Sequence, residues 1–202
     1  MDINELDSFL DYKVDLKVKP QELVDEIIIK AKKYLWSECQ NKIQKAYEFA
    51  DKAHKNELRL SWEQYIIHPV KATLILMDLK PDVESIQTCL LHDVVEDTPI
   101  TQDEIQKEFW DEVANLCAGL VKVSKIKYKW EDRHLETIKK TILAMAKDLR
   151  VIFIKLADRI HNMQTLNFHP AKNKRDNIAY ETMKIYVPIA KRLWLYHYQV
   201  TL

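Results

Sequence analysis

A single glycine, Gly119, stands among 202 residues, far below the roughly 7% of an average chain. Glycine enters positive-φ backbone without steric penalty, so a chain this poor in it has few means of building primed-turn hairpins or glycine-rich phosphate loops. Rossmann and P-loop architectures are excluded on that ground. The alternative is written in the hydrophobic spacing. From Gln21 to Leu35, the apolar residues Leu23, Val24, Ile27, Ile28, Ala31 and Leu35 recur at three- and four-residue steps, with Glu22, Asp25, Lys30 and Lys33 opposite, which is the pattern of an amphipathic helix.

Similar patterns predict helices over 43–53, 70–79, 83–95, 113–123, 135–146 and 178–195. The run Val151-Ile-Phe-Ile-Lys-Leu is branched and nearly continuous; it could be a strand by periodicity, but with no partner strand it reads as a fully buried helix. Pro81-Asp82 and the capping box Thr101-Gln-Asp-Glu104 mark helix starts, and Thr98-Pro99 and His169-Pro170 mark breaks. The stretch from Lys122 to Arg133 has no clean period and reads as a loop. An all-α bundle of roughly eight to ten helices is expected.

No internal repeat or linker divides the chain, which reads as one compact domain over residues 41–202 with a helical extension over residues 1–40. Lys+Arg and Asp+Glu balance at 31 each, so no whole-chain field favours nucleic acid or an anionic membrane. Cys39, Cys89 and Cys117 are odd in number, far apart and set among apolar residues, the usage of buried thiols in a reducing compartment. With no export signal and no run long enough to span a bilayer, a cytoplasmic location is expected. The sequence leaves the oligomeric state open.

Chemistry concentrates in three segments. His68 follows Tyr65-Ile-Ile and precedes Pro69, at a helix start; His92-Asp93 lies within Thr88-Cys-Leu-Leu-His-Asp-Val-Val-Glu-Asp97; Asp158 and Asn162 lie in Leu156-Ala-Asp-Arg-Ile-His-Asn162. Two histidines and two aspartates beside apolar runs are a donor set for a buried divalent ion. Glu96 and Asp97 fall one turn after His92 and Asp93, and four polar groups on an apolar segment would be costly to bury without partners. Each residue alone has a plainer reading: His-Asp as a cap, His68 as a core histidine, Asp158 as a partner for Arg159 or Arg150. Their coincidence favours a site. His54, His134, His161, His169 and His197 lack such company and read as structural or surface residues. Lys122, Lys125, Lys127 and Lys129 could face a polyphosphate but read first as solvated.

The order of His68, His92-Asp93 and Asp158 matches the HD phosphohydrolase superfamily. The flanking text resembles the hydrolase domain of RelA/SpoT-type alarmone enzymes: Tyr65-Ile-Ile-His-Pro69, Leu90-Leu-His-Asp-Val-Val-Glu-Asp-Thr98 and Leu143-Ala-Met-Ala-Lys-Asp-Leu-Arg-Val-Ile-Phe-Ile-Lys-Leu-Ala-Asp-Arg-Ile-His-Asn-Met-Gln-Thr-Leu166. The resemblance covers roughly residues 42 to 196 and implies an all-α HD-domain bundle. It implies one Mn²⁺ held by His68, His92, Asp93 and Asp158, with Glu96 and Asp97 serving the attacking water. It places Asn162 at the ribose and Arg59, Ser61 and Thr165 at the guanine, in an enzyme removing the 3′-pyrophosphate of ppGpp and pppGpp. The ligand types by themselves also admit Zn²⁺ or Fe²⁺.

The chain departs from this pattern at particular positions. Trp62, Trp110, Trp194 and Asn56 stand where the family carries glycine, Leu60 where a basic residue is common, and Gln64 where proline is. Those departures motivate a second expectation, a non-catalytic HD domain that binds nucleotide or protein.

Overall fold

The computed structural model describes residues 18–36, 38–124 and 147–202. Helix α1 (Pro20–Ala31) opens on a proline in its first turn and buries Val24, Ile27, Ile28 and Ala31, the stripe its spacing predicts. Helix α2 (Cys39–Ala53) buries Cys39, Ile43, Ala46, Tyr47 and Ala50. Helix α3 (Ile67–Leu76) is buried on nearly all sides and runs into a 3₁₀ turn, Met77–Leu79. Helix α4 (Val83–Leu91) starts where Asp82 accepts a hydrogen bond from the Ser85 amide at 2.7 Å. A one-turn helix, α5 (Val94–Asp97), follows, and then α6 (Gln102–Ser124), which is kinked at Trp110.

Helix α7 (Leu149–Gln164) contains the branched apolar run, and among the described residues there is no strand, only an isolated bridge between Leu58 and Gln64. Helix α8 (Lys172–Glu181) passes through a π-turn, Thr182–Tyr186, into α9 (Val187–Arg192) and the terminal α10 (Tyr196–Thr201). The all-α expectation holds.

Two apolar clusters meet at α3. Val70 belongs to the cluster built with α1, α2, α4 and α6 as far as Cys117, whereas Ala72 and Leu76 belong to the one built with α6 from Leu116 onward, α7, α9 and α10. The helix carrying His68 is therefore the axis of the bundle, with α7 and α4 packed against it. Helix α1 docks on α2 and α3 and shares the first cluster.

Gly119 sits where α6 crosses α7: a Cβ there would lie 2.9 Å from Val151 Cγ2. The glycine serves close helix approach rather than a turn. The capping box forms as read, with the Thr101 amide donating to Glu104 Oε2 at 2.7 Å and the Glu104 amide to Thr101 Oγ1 at 3.3 Å.

Three boundaries differ from expectation. The helix expected over 83–95 breaks after Leu91, leaving His92 and Asp93 as a turn. The Cys89 carbonyl, which would accept from the Asp93 amide in a continuous helix, takes His92 Nδ1 at 2.7 Å. Lys122 is not in a loop but on an exposed face of α6. The helix expected over 178–195 is interrupted by the π-turn and ends at Arg192, before Trp194. The expected helix 135–146, the remainder of the loop after Ser124, His134 and Lys125, Lys127 and Lys129 lie outside the described residues.

The four positions at which the family resemblance implies glycine have positive φ: 68° at Asn56, 66° at Trp62, 68° at Trp110 and 59° at Trp194. Asparagine tolerates this region, but a bulky residue there costs about 1–3 kcal/mol. Burial returns nothing, because the three tryptophans are 76%, 83% and 92% exposed.

Candidate metal centre

Three buried side chains converge from three segments of the chain. His68 comes from the first turn of α3, His92 from the turn after α4 and Asp158 from the middle of α7, and their donor atoms lie within 4.8 Å of one another. His68 Nε2 is 3.2 Å from His92 Nε2 and 3.2 Å from Asp158 Oδ1; His92 Nε2 is 3.6 Å from the same oxygen. Asp93 flanks this triad, with Oδ1 3.1 Å from His92 Nε2 and Oδ2 3.5 Å from His68 Nε2. Separations of this size are the edges expected around an ion whose bonds to N and O are about 2.1 Å.

The protons fit the same reading. His92 Nδ1 faces a carbonyl oxygen, which only accepts, so the ring's hydrogen sits there and Nε2 keeps its lone pair in the neutral form. Two imidazole nitrogens and carboxylate oxygens pointing at one buried spot suit a divalent cation. Without a metal charge the electrostatics become lopsided. Burial opposes charge on His92, but the Asp93 and Asp158 carboxylates outweigh it and raise its pKa to about 9. On His68 burial prevails, reinforced by the Arg59 guanidinium, and holds its pKa below the ordinary value. Asp158 is brought well below the carboxylate range, against its burial, chiefly by Lys155, whose Nζ is 3.1 Å from Oδ2. The plainer expectation of an arginine partner for Asp158 is replaced by this lysine. Arg150 instead binds Asp82, Glu112 and Asp148.

The centre forms the floor of a cleft of about 540 Å³, whose walls include Arg59, Ser61, Tyr65, Asp97, Asn162 and Thr165. Arg59 Nη2 donates to Asn162 Oδ1 at 3.1 Å and to Thr165 Oγ1 at 3.4 Å, and Asn162 Nδ2 donates to Asp158 Oδ1 at 2.5 Å. Residues more than a hundred positions apart in sequence are thereby joined to the metal centre. The Ser61 hydroxyl donates to buried Glu63 at 2.9 Å. Glu96 is exposed on α5 and stands outside the cleft wall, while Asp97 forms part of it.

Tyr65, Lys155 and His161 were missed by sequence reasoning. The Tyr65 hydroxyl lies 2.7 Å from Asp97 Oδ2 and 3.0 Å from Asp93 Oδ2; its one proton serves one carboxylate at a time. Burial, with the two carboxylates adding to it, raises its pKa. His161, read as structural or surface, is fully buried with Nδ1 at 2.7 Å from His68 Nδ1. Lys155 and His161 each stand three residues from Asp158 on α7, the spacing that places side chains on one helix face, and that was the available signal.

The profile of the HD domain family matches residues 46–194, a span that contains every proposed metal ligand. The chain belongs to the HD domain family. Among curated relatives, this HD domain is 46% identical over 155 residues to a GTP pyrophosphokinase of Myxococcus xanthus, covering 75% of the chain and 20% of that protein. It is 43% identical over 171 residues to the bifunctional (p)ppGpp synthase/hydrolase SpoT of Escherichia coli K12, covering 84% and 24%. With the guanosine-3′,5′-bis(diphosphate) 3′-pyrophosphohydrolase of Aquifex aeolicus it shares 48% identity over 151 residues, covering 75% and 21%. The chain thus spans about a fifth to a quarter of the length of these relatives. Among solved structures it resembles a metazoan ortholog of SpoT described as hydrolysing ppGpp, with a TM-score of 0.58, 25% identity, and coverage of 71% of this chain and 83% of that one. Among the described residues no helix is long and apolar enough to cross a membrane.

Proposed function

We propose that this HD domain, over residues 41–202 with 1–40 as a helical extension, is a cytoplasmic Mn²⁺-dependent hydrolase. It removes the 3′-pyrophosphate of ppGpp and pppGpp to leave GDP or GTP. The observation that carries the reading is the convergence of His68, His92 and Asp158, flanked by Asp93, on the floor of a cleft walled by Arg59, Asn162 and Thr165. The names of the relatives and of the metazoan structure support the choice of substrate.

When bound, a divalent ion supplies Lewis acidity and a water of lowered pKa. The residues of the chain do the rest. His68, His92, Asp93 and Asp158 would hold the ion; with the two carboxylate charges balanced by it, Arg59 and Lys155 remain as cations of the cleft to attract a polyanion, while Arg159 is paired with Glu181 at 3.2 Å. Asp97, fixed by Tyr65 at 2.7 Å, orients the attacking water and takes its proton, with Glu96 one residue earlier on the same turn as the second acid. Arg59, Ser61 and Thr165 bind the base, and Asn162, anchored on Asp158, contacts the ribose. Retention of all four ligands favours turnover over a non-catalytic binding role.

Product analysis tests the assignment. Purified protein with Mn²⁺ should convert ppGpp to GDP and pyrophosphate in equal amounts while leaving GDP untouched. Single phosphate release, or equal attack on GDP, would contradict it.

A further inference from the structure

His68 and His161 meet through Nδ1 at 2.7 Å, and both rings are buried. In such a pair one nitrogen must carry the proton and the other must accept it. If His68 were the acceptor, its proton would move to Nε2, the atom that faces His92 Nε2 at 3.2 Å and Asp158 Oδ1 at 3.2 Å, and no lone pair would remain for a metal. We propose that His161 is a positioning residue that accepts the Nδ1 proton of His68 and so keeps His68 Nε2 open as a ligand. The partner of a metal-bound histidine is ordinarily a carboxylate, a carbonyl or water. Here a neutral ring fills the role, so the pair adds no third negative charge to a centre that already holds two.

This inference rests on the metal reading of the site and is separable from it by direct binding. Mn²⁺ affinity of the full chain, read from the resonance signal of the free ion, should weaken about 10–100-fold in His161→Leu. His161→Asn, whose Oδ1 can take the same proton, should recover most of it. If the parent binds no Mn²⁺, the metal reading itself fails. A folded His161→Leu that binds as tightly as the parent overturns only the role of His161. Should that variant not fold, nitrogen NMR of the unsubstituted Zn²⁺-loaded protein decides: Nδ1–H on His68 is expected, and Nδ1–H on His161 facing a bare His68 Nδ1 overturns it.

A second inference follows from the tryptophans. Among the described residues, five other than glycine have positive φ, and three of these are tryptophan, in a chain with five tryptophans and one glycine. Trp110 has φ 68° and ψ 172°, a region that is essentially glycine's own. All three indoles project into solvent, so packing gives no reason for them. Tryptophan and glycine are linked through the UGA triplet, a stop in the standard code that some organisms read as tryptophan and others as glycine. We infer that positions 62, 110 and 194 carry glycine in the protein as its own ribosomes make it, at UGA triplets. The turn closed by the Trp62 amide on the Arg59 carbonyl at 2.9 Å then needs no strained residue beside the cleft.

The gene's triplets at these three positions, together with peptide masses of the protein isolated from its source cells, test this. UGA with glycine masses is the expected result. UGG triplets, or tryptophan masses at these positions, overturn it.

Discussion

His68 Nε2 and His92 Nε2 face each other at 3.2 Å in the buried interior of the bundle. Two ring nitrogens this close need something between or beside them, a proton in the bare protein or a cation in the loaded one. A ligand that binds only the folded state stabilises it by about 2.7 kcal/mol at a hundred times its dissociation constant. Saturating Mn²⁺ should therefore raise the melting temperature by several degrees, a shift of about 2–4 °C per kcal/mol at this chain length. Calorimetry with and without chelator measures it, and Asp158→Asn should remove most of the shift.

Tyr65→Phe should lower kcat by about 10–100-fold with little change in KM, because the lost hydrogen bond to the Asp97 carboxylate is of the charged kind, about 1.5–3 kcal/mol. The phenol touches the two acids and its ring stacks on His54 at 4.3 Å between centroids, a contact that phenylalanine keeps. Steady-state kinetics of the folded variant would show whether the loss falls on kcat.

Arg59→Ala should act on the other constant. Its guanidinium reaches Asn162 and Thr165 across the cleft, so its removal loosens the nucleotide wall while sparing the metal floor. KM should rise about 10–100-fold, with Mn²⁺ affinity held, as binding titrations would check.

Acid stability should depend on Arg150. This residue ties Asp82 at the start of α4, Glu112 on α6 and Asp148 at the start of α7. Asp82 is held below its ordinary pKa, against its burial, by the Ser85 bonds and then Arg150, and Asp148 chiefly by the Arg150 hydrogen bond. Carboxyls with depressed folded pKa values contribute stability above the unfolded value, near pH 4, and lose it as pH falls through the folded values. The parent should thus lose stability steeply below about pH 4, and Arg150→Met, less stable at neutral pH, should show a shallower acid loss when denaturant midpoints are followed against pH.

Trp62→Gly, Trp110→Gly and Trp194→Gly together should raise the melting temperature by about 6–12 °C, from about 1 kcal/mol each. Nothing buried is lost.

Legibility in the sequence followed the physics of each element. The helical stripe of α1 and the buried run of α7 could be read because periodicity reports which face meets the core. His68, His92 and Asp158 were readable because polar ligands interrupt apolar segments. The turn at His92 and Asp93 was not, since Val94 and Val95 continue the helical period; the bond from His92 to the Cys89 carbonyl that accompanies the break is a side-chain contact that no period records. Tyr65, Lys155 and His161 gain their roles only from contacts set by the packing of α3, α4 and α7. The left-handed backbone at Trp62, Trp110 and Trp194 was legible only by the family resemblance, as tryptophan itself signals nothing of the kind.

In the proposed reaction, hydrolysis depends on an ion held by His68, His92, Asp93 and Asp158. Mn²⁺ binding and pyrophosphate release from ppGpp, followed on one chelator-stripped sample in parent and Asp158→Asn proteins, decide whether it does. One ion per parent chain, release that returns in step with binding, and loss of both in the variant are expected; release undiminished by stripping or by Asp158→Asn would show that hydrolysis does not need this ion.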